Sequence, residues 1–467
     1  MSTQSSPGLA GEVRLVPKLG LLGLVVFGVS YMAPMIVVSI FGIIAEASRG
    51  ATPTAYAAGT IAMLLTGLSY GTLARRFPEA GSVYTYASRL LGGHIGFLSG
   101  WALLLDYFFL PAVAWLIQSL YLNVQFPAIP VWGWLVLNIV ITTAINIVGI
   151  VVADRVNRVL LAAAVIAIVA VIAVAGYYAT SHHTTSPATA FWSHSTTFGA
   201  VMAGAAITAY SFLGFDAVST LSEETHDAQR NIPRGIVLTV LAGGLIFVIT
   251  SFVMQWAHPG FSFQDVSTAG FEVDKQTGGK TFANIVNTIG IVGGFASCIA
   301  VQASTSRLLY VMGRDGVFPR RVFGYLHPRF RTPVWNLILV GVVALFALKL
   351  SLDTATSFIN FGAFLAFVVV NLCVLKLWNE TRKSVSDDRP GAGATTGRAV
   401  IAVLGAIVDG YLLTKLSHTA ILLGISWLAI GVGYLAWLTR GFHKAPPRMH
   451  IDRIDHDSAP EDETVVA

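Results

Sequence analysis

Twelve long apolar runs decide what this chain can fold into. They lie at about 19–45, 54–74, 93–122, 130–150, 156–179, 198–222, 234–257, 283–312, 333–350, 354–378, 399–415 and 418–439. A bilayer's hydrocarbon core is about 30 Å thick and takes roughly 20 apolar residues as a helix. Inside it every backbone N–H and C=O must be satisfied by the protein, which leaves helices and closed barrels. A barrel strand alternates polar and apolar over about ten residues; these runs are longer and continuous. The chain therefore reads as an all-α membrane protein with twelve transmembrane helices. Composition agrees. Of 467 residues, 55% are hydrophobic and 11% charged, against about 25% charged in soluble proteins.

The loops set the expected orientation. With the N-terminus in the cytoplasm, Arg75, Arg76, Arg89, Arg155, Arg158, Arg230 and Arg234 fall inside, as do Arg314, Arg320, Arg321, Arg329 and Arg331. Arg49, Lys275, Lys280, Lys349 and Lys415 fall outside. An excess of Lys and Arg marks cytoplasmic loops, so both termini are expected in the cytoplasm of a bacterial-type plasma membrane. Residues 1–18 read as a polar cytoplasmic segment without a cleavable leader. Residues 19–440 read as the membrane domain and 441–467 as a disordered cytoplasmic tail. The net charge of +5 resides in short loops and gives no reason to expect a nucleic-acid partner. Cys298 and Cys373 both sit inside spans, with no disulfide framework and no metal-ligand spacing. His182, His183, His450 and His456 read as solvated loop and tail residues.

Two spans carry interruptions. Span one contains Gly28-Val29-Ser30-Tyr31-Met32-Ala33-Pro34, and proline removes a donor and clashes with the preceding turn. Span six contains Ser211-Phe212-Leu213-Gly214-Phe215-Asp216, where glycine lets the backbone leave helical geometry. Irregular backbone at membrane depth survives only where protein or a water-filled cavity satisfies it. Interrupted spans at corresponding positions of two halves point to an inverted-repeat transporter with its site at the midplane. The repeats are expected at about 19–179 and 198–378, with extra helices at about 399–439.

Acids in the membrane are costly and default to functional sites. Asp106 lies near the middle of span three with Tyr107 beside it; pairing with a polar group elsewhere in the bundle is its structural alternative. Asp216 is a substrate counter-charge, a proton carrier or a cap on the second half of span six. Tyr31, Met32, Tyr210, Ser211, Phe212, Gly214 and Phe215 are candidate substrate contacts, although packing is the favoured role for Phe212. Glu223 and Glu224 are gating candidates or a solvated helix end pairing with Arg230 or Arg234. Ser304 and Thr305 are coupling candidates, although helix–helix hydrogen bonding is the commoner use of such residues.

Four blocks together carry a resemblance to a known family. They are Phe77-Pro78-Glu79-Ala80-Gly81-Ser82-Val83-Tyr84-Thr85-Tyr86; Gly100-Trp101 with Leu105-Asp106-Tyr107; Ser211 to Thr225; and Ser306-Arg307-Leu308-Leu309-Tyr310 with Gly313-Arg314-Asp315-Gly316-Val317-Phe318-Pro319. From about Leu19 to Trp378 the chain resembles permeases of the amino acid–polyamine–organocation (APC) superfamily. Within it, the chain is most like bacterial putrescine importers of the PuuP type. The resemblance implies a five-plus-five inverted-repeat core of the LeuT kind with helices one and six broken. It also implies uptake driven by an ion gradient, protons in the first place, without a cofactor. In amino-acid members the position of Tyr210 holds an aromatic that stacks on substrate. Many such members carry a lysine in span five; the matching place here is about Ala164, and no basic residue follows Arg158 in that span. The coupling ion therefore stays open.

A diamine needs acceptors for its ammonium groups and apolar or aromatic walls between them. A zwitterion also needs donors for its carboxylate, such as half-helix N-termini. Asp106 tilts the expectation towards a small cationic substrate, with an amino acid permease or exchanger as the alternative. No nucleophile set or metal cluster suggests an enzyme, and nothing suggests the continuous lining ring of a channel. Membrane lipid is an expected partner; the sequence is silent on oligomeric state.

Overall fold

Leu21–Tyr31 forms the first helix, α1, and it is too short to cross a bilayer alone. The rest of span one follows as α2 (Ile36–Ser39) and α3 (Phe41–Ser48). Next come α4 (Thr52–Arg76), α5 (Val83–Leu90), α6 (Gly93–Gln125), α7 (Val131–Val148) and α8 (Asp154–Ser181). The second half holds α9 (Phe198–Phe212), α10 (Ala228–Ala257), α11 (Ala269–Arg314), α12 (Arg320–Phe323), α13 (Val334–Ala344) and α14 (Leu352–Lys383). Two further helices come last, α15 (Ala392–Leu413) and α16 (His418–Leu438). This computed structural model describes residues 19–77, 83–149, 154–383 and 392–446. The expected segment 1–18, residues 78–82 of the first resemblance block and the tail from 447 lie outside the described residues.

Among the described residues, eleven helices are long and apolar enough to span a membrane. The ninth expected span is the short one, Val334–Lys349. It finishes as a 3-10 segment over Leu345–Lys349. A 3-10 turn rises more per residue than an α-turn, which stretches this element to roughly 26 Å. Large apolar side chains such as Leu22, Ile166, Leu245, Phe346 and Trp437 remain exposed on the helix surfaces. On a soluble protein such a surface would aggregate; here it meets lipid.

Local chemistry sets several boundaries. Thr197 caps α9 by accepting the Ala200 N–H at 3.2 Å, and Ser417 caps α16 by accepting that of Ala420 at 3.4 Å. Within α11, Gly279 has φ 79, a conformation glycine reaches without a Cβ penalty. It separates a short first stretch from the long helix that contains span eight. The region after span two, read from sequence as a loop, is helical in its second part as α5.

The helices pair in a pattern that survives a shift of five spans. α1 packs on α10 and α9 on α4, so span one meets span seven as span six meets span two. α6 packs on α14 and α11 on α8, so span three meets span ten as span eight meets span five. The pairs α4–α10 and α6–α11 map onto themselves. Small residues permit the closest approaches, as membrane interfaces require. A Cβ on Gly28 would fall 2.6 Å from Thr239 Oγ1, and one on Gly362 would fall 2.5 Å from the Ala102 carbonyl oxygen. α16 docks on α6 through a reciprocal pair: Trp101 Nε1 donates to the Trp427 carbonyl at 2.9 Å, and Trp427 Nε1 donates to that of Trp101 at 3.0 Å.

Candidate functional site

Between α1 and α2 the chain leaves the α-helix. Ala33 has φ 48, a left-handed conformation that costs a non-glycine residue roughly 1–2 kcal/mol. Pro34 follows and has no N–H to give. In span six, α9 ends at Phe212; Leu213 has ψ 129 and Gly214 has φ 104. The chain then continues over Asp216–Glu224 as a 3-10 helix of nine residues. Runs beyond three or four residues are uncommon and often mark a functional hinge. The sequence supplies a reason. Ser219, Thr220 and Ser222 each donate a hydroxyl to the carbonyl three residues earlier, at 2.7, 2.7 and 2.6 Å. Hydroxyls that compete for carbonyls in this way loosen α-helical bonding.

These two irregular stretches touch. A Cβ on Gly214 would lie 2.0 Å from Cδ1 of Tyr31, so the Tyr31 ring packs directly on the Gly214 backbone. A second tie joins their far ends: Leu19 N–H donates to the Glu224 carbonyl at 3.0 Å, and His226 N–H to that of Leu19 at 3.0 Å. α1 and the 3-10 segment are thus held to each other at both ends.

Asp106 stands near the middle of α6. Its Oδ1 is enclosed and has no hydrogen-bond partner among the described residues. Leaving a buried acceptor unpaired costs about 1–3 kcal/mol, and more for a charged group. Asp216 and Tyr210 lie within electrostatic range of Asp106. Tyr70 approaches Asp216 Oδ2 through its hydroxyl at 3.5 Å, the long limit of a hydrogen bond. Phe215 and Tyr86 set their rings edgewise to Tyr70, at 5.8 and 6.4 Å. Asp216 is the first residue of the 3-10 segment. It lies beside the backbone amides of Gly214, Asp216 and Ala217. The result is two carboxylates with aromatic neighbours, one of them with a spare buried oxygen. That combination suits an ammonium group, which brings donors, charge and an affinity for ring faces.

The remaining sequence-predicted residues divide between this cluster and the framework. Met32 is buried against Gly243 of α10. Ser211 and the Tyr56 hydroxyl of α4 share a hydrogen bond at 3.1 Å. Phe212 is fully buried and packs edgewise on Phe247 at 5.2 Å, a packing role. Thr305 donates to the Tyr107 carbonyl at 2.7 Å, which ties α11 to α6 one residue from Asp106. Ser304 is half-buried beside it. Glu224 enters through its backbone carbonyl; the Glu223 side chain lies outside the described residues.

Three residues escaped the sequence reading. Tyr56 and Tyr70 contact the span-six break from α4, and nothing in a run of apolar residues marks such tyrosines. Asp409 carried a readable signal, being an acid inside span eleven. It is fully buried, and its Oδ2 accepts from Thr66 Oγ1 at 2.6 Å and Asn371 Nδ2 at 3.1 Å. Asn371 Oδ1 in turn accepts from Ser69 Oγ at 2.6 Å. This network joins α4, α14 and α15.

Comparison with known proteins gives the geometry its context. A protein of Escherichia coli K12 described as the low-affinity putrescine importer PlaP is 40% identical over 457 residues, 96% of this chain and 99% of its own length. The branched-chain amino acid permease BcaP of Bacillus subtilis is 27% identical over 446 residues, 91% of this chain and 93% of its own. A vacuolar cationic amino acid transporter 4 of Arabidopsis thaliana is 30% identical over 392 residues, 79% of this chain and 64% of its own. The amino acid permease family matches residues 23–416. Transport proteins, not enzymes, make up these relatives, and the match covers both irregular spans and both acids of the cluster: the chain belongs to the amino acid permease family of integral membrane transporters.

Proposed function

We propose that this chain imports putrescine or a related cationic amine across the plasma membrane, driven by an ion gradient and working by alternating access. The observation that carries the reading is the enclosed, unpartnered Oδ1 of Asp106. A cationic amine supplies a donor for this enclosed acceptor and a charge to match the acid. The aromatic neighbours of Asp216 suit the methylene stem and the second ammonium. The relative named for putrescine import, 40% identical along nearly the whole length, supports the same substrate class.

In this reading Asp106 is the substrate's counter-ion. Asp216, at the start of the 3-10 segment, serves both binding and the break in span six. Protons are the first choice of coupling ion. The exchange of helix pairings across five spans supports two repeats at about 19–179 and 198–378 that rock against each other. Both termini face the cytoplasm, where the basic loops belong. The second reading is an amino acid permease or exchanger, favoured by the relatives named for branched-chain and cationic amino acids.

Uptake of radiolabelled putrescine into proteoliposomes decides between them. Imposed pH and sodium gradients are compared, with amines and amino acids as competitors. The proposal expects accumulation under an inward proton gradient, competed by diamines and not by leucine. Competition by neutral amino acids alone would establish the second reading.

A further inference from the structure

A cavity of about 540 Å³ opens between α1, α4, α10 and α15, and neither Asp106 nor Asp216 lines it. Its size falls within the usual range for ligand pockets. Three arginines line it, each from a different helix: Arg75 in the last turn of α4, Arg234 near the start of α10 and Arg398 near the start of α15. Among the described residues none of the three makes an ion pair or hydrogen bond. Their charges are therefore uncompensated among the described residues.

The walls are ordered in the same way on all three helices. Leu68 and Thr72 lie deeper in the bundle than Arg75, Leu238 deeper than Arg234, and Ile401 deeper than Arg398, by about one or two turns in each case. Charge stands towards the helix ends and apolar surface further along the helices. Leu238 is 41% exposed, so the apolar part opens to the bilayer. A soluble anion would match the arginines and waste the apolar wall; a fatty chain alone would do the reverse.

We infer that this groove binds an anionic phospholipid of the surrounding bilayer, its phosphate held by Arg75, Arg234 and Arg398 and its acyl chains lying on the apolar wall below. Guanidinium forks suit phosphate oxygens, and basic pockets between transmembrane helices are suited to anionic headgroups. The occupied groove would brace α4 against α10, the pair at the centre of the bundle. The inference rests on membrane placement alone and is independent of what the protein transports.

The test uses the purified full chain in neutral detergent, titrated with dioleoylphosphatidylglycerol, dioleoylphosphatidylcholine or inorganic phosphate, with Tm as readout. Phosphatidylglycerol is expected to raise Tm saturably, and the other two to leave it unchanged at equal concentration. Arg75→Gln, Arg234→Gln and Arg398→Gln should each weaken the half-saturating concentration roughly fivefold, and together by on the order of a hundredfold. Arg320→Gln, outside the groove, should respond like the parent. If the triple variant does not fold, the single variants carry the comparison. Equal shifts from both lipids, a shift from phosphate alone, or variants that respond like the parent would overturn the inference.

Discussion

Gly214 shows how one missing methyl group can hold two helices in register. Its φ of 104 is open to glycine at no cost, and a side chain there meets the Tyr31 ring. Gly214→Ala therefore carries a backbone penalty of roughly 1–2 kcal/mol together with a clash. The expected outcome is a lower Tm and at least roughly tenfold weaker putrescine binding, consistent with costs of that size. Because the obstructing atoms belong to a side chain, adding Tyr31→Ala should restore part of the lost Tm. The backbone penalty remains in the double variant, so recovery should be incomplete. Full tolerance of Gly214→Ala in both measurements would mean that the two spans do not meet there.

At the scale of elements, helices were far more legible than the contacts between them. Continuous apolar runs placed most spans to within a few residues. Gly214 and Pro34 marked where α-helical geometry ends, because backbone chemistry is local. The 3-10 winding after Gly214 was not foreseen, although the hydroxyls of Ser219, Thr220 and Ser222 are written in the sequence. Tyr56, Tyr70 and Asp409 act across helices, and one sequence does not say which helices meet. Asp409 illustrates the consequence. It bonds Thr66 and Asn371, joining α15, which lies beyond the two five-span sets, to α4 and α14. Asp409→Ala would strip the Thr66 hydroxyl of its acceptor, at a cost of about 1–3 kcal/mol for a buried group left unpaired, while Asn371 Nδ2 keeps the Phe367 carbonyl. Thermal denaturation should show that loss, with Asp409→Asn milder because an amide oxygen can still accept. An unchanged Tm for Asp409→Ala would remove the network from the account of stability.

In the whole molecule three levels fit together. Apolar length commits the chain to the bilayer, helix pairings repeat after five spans, and irregular backbone from both halves gathers beside Asp106 and Asp216. The two acids should separate in their consequences. A carrier of protons, once neutralised, loses gradient-driven accumulation but keeps equilibrium binding. A counter-ion loses binding itself. Asp→Asn removes the charge and nearly keeps the shape, and stranding a bound cation costs a few kcal/mol, on the order of a hundredfold in affinity. The most direct measurement is equilibrium binding of radiolabelled putrescine to the purified Asp106→Asn protein, beside the parent and Asp216→Asn, with Tm as the check on folding. The account predicts a loss of about a hundredfold for Asp106→Asn at unchanged Tm. Parent-like putrescine binding by Asp106→Asn, with a neutral amino acid competing better than any diamine, would contradict it.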